Sequence, residues 1–180
     1  MSRNIPKQLK FHGRGLEVLG DSFGGSKLKS HPKGRRPLDA KLPIHLTLRA
    51  QRSGLRTPKT LGQVNAIVQS IAKRYGVRIY SYVNVGNHLH LLIKIPKRTR
   101  WSAFIRDLCG QIALYVRKVL RIAPTEPFWL FRPFTRVVRS WRKAFQTAKA
   151  YLYLNQLEAD GMISRPEVKT LRDLRAIFSG

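Results

Sequence analysis

Hydrophobic and polar positions alternate in two distinct rhythms between residues 43 and 157. In residues 44–50, Ile44, Leu46, Leu48 and Ala50 interleave with His45, Thr47 and Arg49, which predicts a first strand. A polar, basic loop follows over 51–59. Thr60 stands where a helix cap belongs, and Leu61, Val64, Ile67, Val68, Ile71 and Tyr75 then keep a helical period with one apolar face, ended by Gly76. Residues 77–85 alternate as a second strand. Gly86-Asn87 is a turn signal, so the segment after it should return as the other arm of a hairpin.

That returning arm is the most distinctive part of the pattern. Side chains of a strand alternate faces, so His88, His90, Leu92 and Lys94 share one side, while Leu89, Leu91, Ile93 and Ile95 point to the other, into a core. Beyond Pro96, a second amphipathic helix is marked by Trp101, Phe104, Ile105, Leu108, Ile112, Tyr115 and Val119. Pro124 and Pro127 bound a loop. Residues 128–139 read as a strand region broken by Pro133, which predicts an edge or a bulge. A third helix runs from Trp141 to about Leu157, and a small one is expected near 167–178.

The order strand, helix, strand, strand, helix, strand, helix predicts an α+β fold: an antiparallel sheet with a split β-α-β, ferredoxin- or RRM-like core. Two helices should cover one face. The other, carrying His88 and His90, is left for a ligand and for the third helix. Gly, Ser, Pro, Lys and Arg dominate the first forty residues. The domains are therefore read as a flexible basic arm over 1–42, a folded domain over 43–165 and a C-terminal segment over 166–180.

Charge narrows the partners. The chain has 180 residues and a formal net charge of +26, from 35 Lys and Arg against 9 Asp and Glu. Such an excess favours nucleic acid, where neutralised phosphates dominate affinity, over an anionic membrane surface. The single cysteine, Cys109, excludes an intrachain disulfide and a thiolate zinc cluster, and fits a reducing, cytoplasmic setting. It lies in the apolar stripe of the second helix and reads as packed there. No apolar run reaches the length of a membrane span, and no secretory signal is evident.

Two histidines side by side on a sheet face suggest a metal seat, and in so basic a chain the metal's natural contact is a phosphate. On the third helix, Tyr151 and Asn155 are four apart and share a face, flanked by Leu152 and Leu154 as anchors. Tyr153 lies about 200° around the helix from Tyr151, so the two tyrosines cannot serve one site, and Tyr153 is the rival nucleophile. Lys94, on the histidine face, can steer phosphate. Trp129, Phe131, Trp141 and Arg132 either stack on bases and clamp a backbone or pack the core. His45 reads as a packing or solvent-facing residue. His12 and His31 carry no signal.

Asn87-His88-Leu89-His90-Leu91-Leu92, followed by Tyr151-Leu152-Tyr153-Leu154-Asn155 and Gly161-Met162-Ile163, resembles the single-tyrosine HUH transposases, above all the REP-associated tyrosine transposases. The aromatic and basic run from Phe128 to Arg132 resembles the strand between those motifs. The likeness covers about residues 43–165. Gly86 stands where the family has proline, and Gln156 replaces the proline usual after Asn155.

The resemblance implies cleavage of single-stranded DNA beside a hairpin. A tyrosine attacks the phosphodiester, leaving a 5′-phosphotyrosine and a free 3′-hydroxyl, and the reversal of this step rejoins strands. Tyr151 would be the nucleophile. His88 and His90 would bind a divalent ion, Mg2+ or Mn2+, with Asn155 completing that site. The chemistry is sound in its own right. A phenol titrates near 10 and needs activation, and a divalent cation can polarise the phosphate. None of the nine carboxylates falls within either motif, so an ion held there is held weakly, with water and substrate phosphate in its shell. The partner is single-stranded DNA containing a hairpin, bound by a monomer or a homodimer in a bacterial cytoplasm at the nucleoid. The alternative is a non-catalytic basic module of the same build that binds single-stranded DNA or RNA. RNA modules of this kind carry aromatic residues on adjacent strands, where this chain offers histidines.

Overall fold

The structure is a computed structural model and describes residues 22–27 and 35–164. His12, His31 and the helix expected at 167–178 lie outside the described residues. Five strands and three helices follow in the order β1 (Ser22–Phe23), β2 (Ile44–Arg49), α1 (Leu61–Tyr75), β3 (Arg78–Asn84), β4 (His88–Lys94), α2 (Trp101–Leu120), β5 (Phe134–Val137) and α3 (Lys143–Ala159). The sheet order is β1-β5-β2-β4-β3, with every pair antiparallel. β2 and β3 therefore run parallel with β4 between them, and β5 and β4 run parallel with β2 between them. This is the split β-α-β core expected from the order of elements.

α1 and α2 cover one face. Leu46, Leu48, Leu89, Leu91 and Ile93 from the sheet meet Val64, Val68, Ile71, Phe104, Leu108 and Ile112 from the helices in one buried cluster. Each such aliphatic side chain contributes about 1.5–3 kcal/mol when fully buried. On the second helix the buried stripe is Trp101, Phe104, Leu108, Ile112 and Val116. Tyr115, expected in the core, is half-buried, and its hydroxyl donates to the Lys59 carbonyl at 2.9 Å. Cys109 packs as expected, and burial pushes its thiol up to about 12.

α3 lies on the opposite face. Phe145, Ala148 and Leu152 join Val83, Leu92 and Val138 there. The third helix thus takes the face expected for it, and it covers the histidines closely: His88 and His90 are only 4% and 3% exposed.

Other local expectations change for physical reasons. Part of the supposed arm belongs to the sheet: Ser22–Phe23 pairs with β5. Arg36 holds the next described stretch down by donating to the Pro133 carbonyl at 2.7 Å and to Thr135 Oγ1 at 2.8 Å. β5 is consequently an interior strand rather than an edge, with Pro133 just before it. Thr60 occupies the N-cap position of α1 without capping it. Its hydroxyl donates to the Gly54 carbonyl at 2.7 Å and accepts the Thr57 N–H at 3.0 Å. The alternation of β3 is broken by a bulge between Ile79 and Ser81. Tyr80 therefore packs on the α3 side while Tyr82 packs on the α1/α2 side.

Candidate active site

β4 supplies the centre of the site. Its pairing with β2 sets Thr47 opposite His90, Arg49 opposite His88 and His45 opposite Leu92. His45, Thr47, His88 and His90 thus come to the same face. Three imidazoles line up across it. His88 and His90 stack with ring centres 5.8 Å apart, and His90 and His45 with centres 5.6 Å apart. His90 Nδ1 lies 3.3 Å from Thr47 Oγ1 and 3.4 Å from His45 Nε2.

α3 brings Tyr151 onto this row. Its ring meets His90 edge-on at 5.9 Å and His45 edge-on at 6.0 Å. Leu152 and Leu154 are buried as the expected anchors, and Asn155, one turn beyond Tyr151, is 7% exposed on the inner side of the helix. Tyr153 is 52% exposed, away from the histidines. The helix continues through Gln156, where the family has proline, to Ala159, and Gly161 follows it at φ +74°.

The hairpin is held from below. Gly86 takes φ +95°, a left-handed conformation that proline cannot adopt, so this turn depends on the glycine found here. Its carbonyl accepts the N–H groups of Gly54 and Leu55 at 3.0 and 2.9 Å. Asn84 Nδ2 donates to the Leu55 carbonyl at 2.7 Å, and Arg56 Nη1 donates to the Asn84 carbonyl at 3.0 Å. Arg56 also forms an ion pair with Asp160 at the end of α3. One guanidinium thereby joins the histidine hairpin to the tyrosine helix.

His45 and His88 are in the form that ligates metals. Burial, aided by the Arg49 charge, lowers the His88 pKa to about 4, and burial with Arg136 lowers that of His45 to about 4, so both rings are neutral at pH 7. His88 Nδ1 lies 2.6 Å from Asn87 Oδ1, which can only accept, so Nδ1 carries the proton and Nε2 the lone pair. That Nε2 is buried and has no hydrogen-bond partner among the described residues. A buried lone pair of this kind fits a cation. No group of three or more histidine, cysteine or carboxylate side chains suited to a metal occurs among the described residues, so the donor set fits a weakly held ion.

The residues expected to touch nucleic acid scatter. Lys94 stays on the histidine face with its ammonium 5.9 Å from the centre of the Trp141 ring. Trp129 packs half-buried against the α1/α2 core, and its Nε1–H donates to the Cys109 carbonyl at 3.1 Å. Arg132 is exposed beside Arg36, whose pKa falls to about 10 through burial and the Arg132 charge. Sequence reasoning missed His45 and Thr47. Their alternation in β2 was visible, but only the strand register puts them beside His90.

The family model described as "Transposase IS200 like" matches residues 40–149, which include His45, His88 and His90 and stop short of Tyr151. Among solved structures, a REP-associated tyrosine transposase bound to a REP hairpin superposes with a TM-score of 0.56. It is 16% identical, over 73% of this chain and 76% of that one, which is a likeness of fold. A Deinococcus radiodurans R1 protein described as a candidate transposase gives a TM-score of 0.45 at 18% identity, over 69% of this chain and 98% of that one. No curated protein matches the chain. Among the described residues, no helix is long and apolar enough to cross a membrane.

Proposed function

The chain belongs to the IS200-like transposase family, and we propose on that premise that it cuts and rejoins single-stranded DNA through Tyr151. The observation that carries this reading is the placement of Tyr151 edge-on to His90 and His45 while Tyr153 faces solvent. In the forward step the Tyr151 phenolic oxygen loses its proton and bonds to phosphorus. The bond from phosphorus to the 3′-oxygen breaks, and that oxygen leaves as a hydroxyl. Return of the 3′-hydroxyl reverses the step and frees the tyrosine.

His88 and His90 would hold a divalent cation, Mg2+ or Mn2+, with Asn155 as a further ligand. When bound, such an ion polarises the phosphate and offsets its added charge. His88 offers Nε2 because Asn87 fixes its tautomer. α3 keeps Tyr151 in place by burying Leu152 and Leu154 on either side of it. Lys94 and Arg132 add charge along the strand's path, and Trp129 stiffens the α2 side rather than stacking on a base. The solved relative binds a REP hairpin. By that likeness the substrate is a single strand carrying a hairpin, engaged by a monomer or a homodimer.

Incubating the protein and Mn2+ with labelled hairpin-containing single strands from the DNA flanking its gene tests the proposal on a denaturing gel. A covalent protein–DNA band is expected, absent in Tyr151→Phe and in His88→Ala and retained in Tyr153→Phe. A band that survives Tyr151→Phe overturns the assignment. Strand binding with no adduct on any flanking sequence favours the non-catalytic module.

A further inference from the structure

The β3 bulge leaves an aromatic and cationic cluster at the edge of the histidine face. By turning Tyr80 toward α3, it brings that ring into contact with Trp141 at 5.5 Å and Phe145 at 5.3 Å, both edge-on. Trp141 tilts over Phe145 at 5.2 Å and is still 43% exposed. With two ring neighbours and nearly half its surface in water, the indole keeps a face open to a further partner.

The charges around it are arranged at a cost. Lys94 and Arg78 are direct partners in the β3/β4 register, and like charges placed opposite one another destabilise a sheet. Neither takes part in an ion pair among the described residues. Instead Lys94 Nζ lies 5.9 Å from the Trp141 ring centre, and the Arg78 guanidinium sits 5.3 Å over Tyr80. Arg139, Arg142 and Lys143 flank Trp141 in sequence, and all three are exposed. Two opposed cations beside a half-open indole match one ligand chemistry: a phosphate bridging the cations and a nucleobase on the ring.

We infer that Trp141, supported by Tyr80 and Phe145, is a stacking platform for a base of single-stranded DNA, with Lys94 and Arg78 holding the phosphate next to it. The inference rests on the strand-cleavage reading above and extends it. Lys94 lies four residues beyond His90 on β4, about 13 Å along the strand. A strand whose reacting phosphate sits at the histidines would therefore place a base a few nucleotides away on Trp141. The platform would read the flank of the cut rather than the cut itself.

Binding is measured by tryptophan fluorescence in a Tyr151→Phe background, with oligothymidine and with the flanking strands as probes, while the adduct assay runs in parallel on the Tyr151 protein. Trp101 is 6% exposed and Trp129 is half-buried, so Trp141 should give most of the quench. Trp141→Ala should weaken binding about tenfold and Trp141→Phe less than about threefold, because a phenyl ring still stacks. Lys94→Gln should reduce the salt dependence of binding. A single abasic position walked along the strand should weaken binding at one place in the Trp141 protein and nowhere in Trp141→Ala. Unchanged affinity in a folded Trp141→Ala, or a quench that persists in Trp141→Phe at full size, overturns the platform. Trp141-dependent binding with no adduct on any strand leaves the platform standing and removes the cleavage reading. An adduct formed equally well by Trp141→Ala does the reverse.

Discussion

Both faces of the sheet draw on the same strand and bury it to the same depth, but they are built from opposite materials. On the α1/α2 side Leu89, Leu91 and Ile93 are fully buried among aliphatic and aromatic neighbours. On the α3 side His88, His90 and Leu92 are buried as completely, beside His45, Thr47 and Asn155. The first face gains free energy from each buried group. The second accepts neutral imidazoles and a lone pair with no partner among the described residues, which costs stability unless a ligand supplies what is missing. Similar burial therefore marks a core on one side and, in the function proposed above, a prepared site on the other.

Acid should separate the two faces most. The pKa values of His45 and His88 are lowered from 6.5 to about 4 by burial. Between those values the unfolded chain binds more protons than the folded one, so the stability from these groups is intact above about pH 6.5 and lost as pH falls toward 4. Each group can contribute about 3 kcal/mol to that loss. Urea unfolding across this range should show it, and a His45→Gln/His88→Gln double variant should flatten it. An unchanged acid limb in the double variant would mean the histidine face opens to water before it titrates.

Core truncation ranks next. Leu91→Ala should cost about 2–5 kcal/mol by denaturant unfolding. His88→Leu, one face over and equally buried, should cost less than about 1 kcal/mol or stabilise the fold. Equal losses in the two variants would make the histidine face an ordinary core.

The smallest effect concerns the support of the proposed metal seat. Asn87→Ala frees the His88 tautomer and should weaken Mn2+ binding about 10- to 100-fold by calorimetry or spin resonance, with the unfolding midpoint nearly unchanged. Asn87→Asp, which still accepts from Nδ1, should restore binding. Failure of that rescue would assign Asn87 to the turn alone.

Much of this was legible in advance because it is local. The period of β4 sorts Leu89, Leu91 and Ile93 from His88 and His90 without any knowledge of the neighbours. Helical spacing likewise puts Tyr151 and Asn155 on one face and Tyr153 on the other, and the structure agrees. Ser22–Phe23 was not legible, because a two-residue strand has no period and forms only where β5 offers an edge. The third helix was expected on the histidine face, but how deeply it buries His88 and His90 was not legible. That depth depends on docking, because the helix packs through Phe145, Ala148 and Leu152 onto residues distant in the chain.

The sequence by itself determined which side chains share a face, where the helices run, the charge that selects a polyanion, and the order of elements that permits a split β-α-β sheet. Tertiary structure decided which faces meet. Register between β2 and β4 brought His45 and Thr47 to His90, a bulge sent Tyr80 to Trp141, and Arg56 tied the hairpin to the end of α3 through Asp160. It also carried Trp129 to the far side, onto the Cys109 carbonyl. Periodicity is a property of neighbouring residues and survives in a string of letters. Register and docking depend on the joint packing of segments far apart in the chain, and exist only once the chain has closed on itself.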